Sequence, residues 1–247
     1  MQIVTFDFHN TLVRCDRWFE LEVRTLPWDV ILELGIPHAE RPIRSTVFSA
    51  YRDLRAEVVR SGDEIDSYDS VEHIFTTIGI SADHAAIRSV VDRLMADALD
   101  SASLMCEADA LVRDLHERGT RLAIISSAVH HEFLQSALER FSLSECFEQI
   151  VTSASSGYYK SNPEIYRSTI AGLGGHLPSS VHIGDSLRWD VGSAQKVGIR
   201  TVWLDRDGEA RPWNDAPPPV PDLRLESLAG ASEAILNLIG PSSPGRE

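Results

Sequence analysis

The chain has 247 residues, enough to bury a substantial core and to form one large domain or a core with a smaller companion. Hydrophobic residues make up 43% and charged residues 24%, as in ordinary soluble globular proteins. The formal net charge of -14 argues against binding nucleic acid, so any anionic ligand needs local help from a metal ion or a placed lysine.

Three cysteines, Cys15, Cys106 and Cys146, are odd in number and widely spaced, which predicts reduced thiols and neither a disulfide framework nor a zinc site. The first residues read as a strand rather than a signal peptide, and no uncharged apolar stretch reaches roughly 18 residues. These features predict a cytoplasmic protein with no membrane partner.

In chain order, "QIVTFDF" (2–8) is the first apolar run of strand character. From 16 to 103 the pattern turns helical: "ELEVRTLPWDVILELG", "RPIRSTVFSAYRDLRAEVVRSG", "YDSVEHIFTTIGI" and "ADHAAIRSVVDRLMADALDS" space their apolar residues as helices do. Pro27, Pro37, Gly62 and Gly79 are the expected breaks. Strands then recur at 121–127, 148–153, 180–186 and 200–205, with helical patterns between them and Gly119, Gly172 and Gly198 at the expected helix ends. A Pro-rich loop over 211–223, an edge strand and a last helix near 225–240, and a frayed tail at 241–247 complete the chain. Strands alternating with helices predict an α/β fold with a parallel sheet of Rossmann type. The domains expected are a core of 1–15 and 104–240 and a smaller all-helical domain of 16–103.

Ligands in open parallel sheets bind beyond the carboxyl ends of the strands. Four such ends carry reactive side chains: Asp7 and His9 after the first strand, Ser126 and Ser127 after the second, Lys160 after the third, and Asp185 with Asp190 after the fourth. Taken singly, each has an ordinary explanation as a helix cap, a turn residue or a solvated charge. Together, at one edge of one sheet, they form a candidate site. By strand alternation His9 faces the same way as Asp7. Crowded carboxylates repel one another unless a cation compensates, and hard oxygen ligands with no Cys/His cluster point to Mg²⁺.

The ordered set resembles the haloacid dehalogenase-like hydrolase superfamily, mostly phosphatases. "DFHNTL" is similar to its first motif, usually D-x-D-G-T-L; "LAIISS" to its second; "KSNPEIY" to its third, usually K-P-D-P-E-I-F; and "IGDSLRWD" to its fourth. The helical insertion resembles that family's cap. The resemblance implies Asp7 as a nucleophile that becomes an aspartyl-phosphate, Ser126 with Ser127 and Lys160 as phosphoryl-binding groups, and Lys160 as the group orienting Asp7. It also implies Mg²⁺ held by Asp7, Asp185 and the backbone carbonyl of His9, with Asp190 fixing Lys160 or a metal-bound water. Asn10 replaces the usual glycine, and Asn visits left-handed backbone more easily than most residues.

His9 stands where the family usually has a second Asp that protonates the leaving group and then activates water. Mg²⁺ and Lys160 nearby are expected to keep its ring neutral, which suits a general base better than an acid. The expected enzyme is a Mg²⁺-dependent phosphohydrolase of a small phosphorylated metabolite, working best on good leaving groups. Two alternatives stand beside it: a 2-haloacid dehalogenase, and a degenerate member that binds a phosphorylated ligand or a protein without turnover. Phosphonate cleavage is disfavoured because the insertion contains no lysine to form a Schiff base. Of the insertion's arginines, among them Arg17, Arg24, Arg41, Arg44, Arg52, Arg55 and Arg60, one is a candidate to grip a second anionic group; for any one of them a solvated charge is the plainer expectation. Whether the protein is a monomer or a homodimer is not legible.

Overall fold

A computed structural model describes residues 2–37, 41–206 and 217–240. The first apolar run forms β1 (Ile3–Phe6), buried at all four positions, as a strand covered on both faces must be. With β2 (Val13–Arg14), β3 (Ser103–Leu104), β4 (Arg121–Ser126), β5 (Gln149–Thr152), β6 (Ser180–Gly184), β7 (Arg200–Leu204) and β8 (Leu223–Leu225) it makes two sheets. The larger is fully parallel in the order β5-β4-β1-β6-β7-β8. Strand order therefore reverses at β1, the place where open α/β sheets bind ligands. Phe6 pairs with Ile124 on one side and Ile183 on the other, so Asp7, Ser126 and Asp185 leave the sheet at the same edge.

Between β2 and β3 lies the helical insertion: α1 (Asp16–Glu20), a π-helical turn (Leu21–Thr25), α2 (Leu26–Glu33), α3 (Arg41–Ser61), α4 (Ser67–Ile78) and α5 (His84–Leu99). The short antiparallel pair of β2 and β3 joins its two ends. Pro27 does not break the chain as expected. It falls in the first turn of α2, where a missing N–H costs no hydrogen bond, and the π-helical turn precedes it. Gly62 does end α3, with φ +81, and a Cβ there would stand 2.8 Å from Asn162 Cβ. That close approach lets Gly62 accept the Tyr159 N–H at 2.9 Å, while Glu64 N–H donates to Gly157 at 2.8 Å. Phe8 meets Trp18 edge-on at 5.9 Å and Trp18 stacks on Phe133 at 4.9 Å, tying α1 to the sheet's helical cover.

The flanking helices are α6 (Ala108–Glu117), α7 (His131–Arg140), α8 (Ser153–Ser156), α9 (Glu164–Gly172), α10 (Ser193–Lys196) and α11 (Ser232–Ile239). Gly119 and Gly198 follow α6 and α10 as expected, but Gly172 is the last residue of α9 and the left-handed residue is Gly174, with φ +63. The expected edge strand is β8, which lies at one margin of the sheet. Part of the Pro-rich loop and all of the tail 241–247 lie outside the described residues. Among the described residues no helix is long and apolar enough to cross a membrane.

Candidate active site

Beyond Phe6 the chain makes a tight turn in which the Phe8 carbonyl accepts the N–H groups of Leu12 and Val13 at 2.9 and 3.0 Å. Asn10 takes φ +61 there, the left-handed conformation expected of it. The turn returns Thr11 to Asp7, and its hydroxyl donates to Asp7 Oδ2 at 3.1 Å. Lys160, 2% exposed, donates from Nζ to Asp7 Oδ1 at 2.5 Å and to Asp190 Oδ1 at 2.6 Å. Asp190 is held further by the Ser186 N–H on Oδ2 at 2.8 Å and by His182 Nε2 on Oδ1 at 3.3 Å. With its proton on Nε2, His182 accepts the Thr5 hydroxyl at Nδ1, 2.9 Å away.

Burial would lower Lys160, but Asp190 and Asp7 overcome it and hold the ammonium charged well above the usual lysine range. Burial would raise Asp190, yet Lys160 and His182 hold it well below the usual carboxylate range. For Asp7 burial prevails over Lys160 and pushes the carboxyl up to about 6.

Oxygens of Asp7, Asp185 and Asp190 all lie within 4.8 Å of one another. This donor set contains only carboxylate oxygen, which suits a hard cation such as Mg²⁺. Both oxygens of Asp190 accept hydrogen bonds, as do both of Asp7, from Lys160 and Thr11. Ser126 is buried at the end of β4, and Ser127 Oγ is buried beside the Tyr159 hydroxyl.

His9 departs from the sequence expectation in its surroundings. Its ring stacks on Phe19 at 4.7 Å with an interplanar angle of 3°, lies 5.4 Å from Trp18, and leaves Nε2 buried with no hydrogen-bond partner among the described residues. The side chain does not join the carboxylate cluster. Its pKa is pushed down to about 4, the expected direction, but by burial among aromatic rings rather than by Lys160.

Thr11, Thr5, His182 and Gly184 went unassigned in the sequence. Thr11 carried a signal, four residues after Asp7 in the first motif. Gly184 carried one too, as the residue before Asp185: a Cβ there would stand 2.2 Å from Asp190 Cγ, so only glycine admits Asp190 to Lys160. His182 reads as an ordinary strand residue.

The insertion also reaches this edge. Arg55, expected as a solvated charge or an anion grip, is instead half-buried and paired with Glu64 at 2.5 and 2.9 Å, and Ser153 Oγ donates to the same carboxylate at 2.7 Å. Arg17, Arg52 and Arg60 pair with neighbouring carboxylates, while Arg24 and Arg44 lie over the Phe48 ring. The Arg41 side chain lies outside the described residues.

Comparison with known proteins bears on the family and the fold. The phosphoserine phosphatase of Thermus thermophilus is 30% identical over 122 residues, covering 49% of this chain and 47% of that protein. The (S)-2-haloacid dehalogenase 4A of Burkholderia cepacia is 31% identical over 130 residues, covering 53% and 55%. The chain thus spans about half the length of these two relatives. Among solved structures, a 2-haloacid dehalogenase from Pseudomonas syringae superposes with a TM-score of 0.65 at 17% identity, covering 96% of this chain and 98% of that one. A HAD phosphatase from Thermococcus onnurineus gives 0.61 at 22% identity, covering 95% and 97%. These structural likenesses show the fold. Residues 60–204, more than half of the chain, match the family model described as haloacid dehalogenase-like hydrolase. With the match running from the end of α3 to the end of β7, the chain belongs to the haloacid dehalogenase-like hydrolase family.

Proposed function

We propose that this protein is a Mg²⁺-dependent phosphohydrolase acting on a small phosphorylated metabolite through an aspartyl-phosphate on Asp7, with residues 16–103 as its cap. The observation that carries the proposal is Lys160 bridging Asp7 and Asp190 inside a cluster of three carboxylates. Displacing a halide from carbon needs no cation, so a dehalogenase has no use for such a cluster.

In the first step an Asp7 oxygen attacks phosphorus and the ester oxygen departs. Lys160 keeps Asp7 oriented, and Lys160, Ser126 and Ser127 hold the phosphoryl oxygens. Asp7, Asp185 and the His9 carbonyl would hold the cation, which when bound neutralises phosphoryl charge. Water then attacks the aspartyl-phosphate, and His9 takes its proton on the buried, unpartnered Nε2.

The test is phosphate release from p-nitrophenyl phosphate with Mg²⁺, comparing wild type, Asp7→Asn and a chelated control. Turnover in wild type alone is the expected result. No turnover in a folded wild type, with chloride released from 2-chloroacids, would replace this proposal with the dehalogenase one.

Cation binding has its own prediction. At about a hundredfold excess over its dissociation constant, Mg²⁺ stabilises the fold by about 2.7 kcal/mol. For a chain of this size that raises Tm by about 5–10 °C. Asp185→Asn should lose most of the shift in a thermal melt, and an unchanged shift would place the cation elsewhere.

A further inference from the structure

We propose that Glu22, carried on the π-helical turn of the insertion, is the proton donor to the ester oxygen that leaves in the first step. This rests on the phosphohydrolase reading above, which leaves a role unfilled. A proton must reach the departing oxygen, and His9 is held in an aromatic stack with Phe19.

Glu22 is 4% exposed, although it belongs to a helical stretch where a glutamate would ordinarily face solvent. Two contacts put it there. The Tyr51 hydroxyl donates to the Glu22 carbonyl at 2.6 Å, fixing the π-helical turn from α3. The Glu22 carboxyl accepts the backbone N–H of Val129, three residues beyond Ser126 in the loop that follows β4. A further bond, Ser67 N–H to the Val129 carbonyl at 2.7 Å, clamps that loop to the insertion. The carboxyl thereby sits beside the loop that leaves β4 through Ser126 and Ser127, and the Asp7 charge acts on it.

Its second oxygen, Oε2, is buried with no hydrogen-bond partner among the described residues. An unpaired carboxyl oxygen in such a place costs stability, and costs of this kind are retained where function uses the group. The charged and titratable groups facing Glu22 include Arg55, Glu64, Tyr51, Tyr159 and Asp7. Arg55 is committed to Glu64 through two bonds, and Glu64 and Asp7 are themselves carboxylates. Burial is the main influence on Glu22; Arg55 opposes it, the two carboxylates reinforce it, and the group stays protonated well above the usual range. A neutral carboxyl with a free oxygen, beside the loop that carries Ser126 and Ser127, is a proton donor in waiting.

The step balances. The Asp7 oxygen forms its bond to phosphorus as the bond from phosphorus to the ester oxygen breaks. The electron pair left on that oxygen takes the Glu22 proton, the alcohol departs, and Glu22 is left as a carboxylate. In the second step His9 takes the proton that water gives up and passes it to solvent, and Glu22 regains its own proton from solvent as the product leaves. Alkyl phosphates, whose alcohols leave poorly unaided, are therefore within this enzyme's range.

The experiment compares wild type and Glu22→Gln, with Mg²⁺, on p-nitrophenyl, phenyl and methyl phosphate. Glutamine keeps the shape, removes the transferable proton and cannot ionise, so the variant should melt at or above the wild-type temperature at pH 7.5. The expected result is a fall in kcat of roughly 10²–10⁴-fold on methyl phosphate with p-nitrophenyl phosphate nearly unaffected. Dependence on the leaving group should steepen accordingly. An equal fall on all three esters, a rise in KM alone, or no change would overturn the inference while leaving the phosphohydrolase reading intact. Should Glu22→Gln not fold, Glu22→Asp keeps a proton and should keep the wild-type dependence on the leaving group; a steepened one would overturn the inference. A wild type that releases phosphate from none of the esters overturns both.

Discussion

Lys160→Met should abolish turnover and lower stability by about 3–5 kcal/mol, the cost of breaking a buried ion pair by removing one partner. Methionine fills nearly the same volume, so the loss comes from charge rather than from a cavity. The two carboxylates that Lys160 joins at 2.5 and 2.6 Å would face each other without a cation between them. At 2–4 °C per kcal/mol for a chain of this size, the drop in Tm is about 6–20 °C. Its pH dependence has a definite sign. Removing the ammonium removes what opposes burial at Asp7 and what holds Asp190 low, so both take up protons more readily. The penalty should be largest above neutrality and shrink in acid, where Asp7 becomes neutral. Melts across the pH range check this, and a uniform loss would mean that Lys160 acts by packing alone.

Gly184→Ala should be nearly as damaging, for a steric reason. The added methyl carbon would stand 2.2 Å from Asp190 Cγ and 2.3 Å from Oδ2. Asp190 has no room to yield, because Lys160, His182 and the Ser186 N–H each grip its carboxylate. Overpacking of this kind costs typically 1–3 kcal/mol. Displacing Asp190 by about 1 Å also moves Lys160, and a misplacement of that size costs about 10²-fold in rate. Gly172→Ala is the control. Its new carbon would meet the end of the Gln149 side chain at 2.7 Å, a flexible group able to swing aside. Equal activity in the two variants would show that Asp190 does not need its place against Gly184.

Both predictions concern residues found by different means. Asp7, Lys160, Asp185 and Asp190 were legible because each follows an apolar run of strand character, and local patterning sets where strands end. The helical insertion was legible for the same reason, in the change from period 2 to period 3.6. His9 shows where such patterning stops. Alternation predicts that it faces with Asp7, but the strand ends at Phe6 and Asn10 turns left-handed, so the ring goes to Phe19 and Trp18.

By itself, then, the sequence determined the α/β architecture, the chain order of the strands in the parallel sheet, and the acidic and basic groups gathered at one sheet edge. All of these follow from short-range hydrophobic period and turn chemistry; the short pair of β2 and β3 carried no such signal. Only the tertiary structure decided that Thr5 and His182, paired across β1 and β6, support Asp190, and that Arg55 is spent on Glu64. It alone buried Glu22 beside the loop that follows β4. Burial and charge at such positions are set by segments distant in the chain that pack together, and a pattern confined to neighbouring residues carries no trace of them.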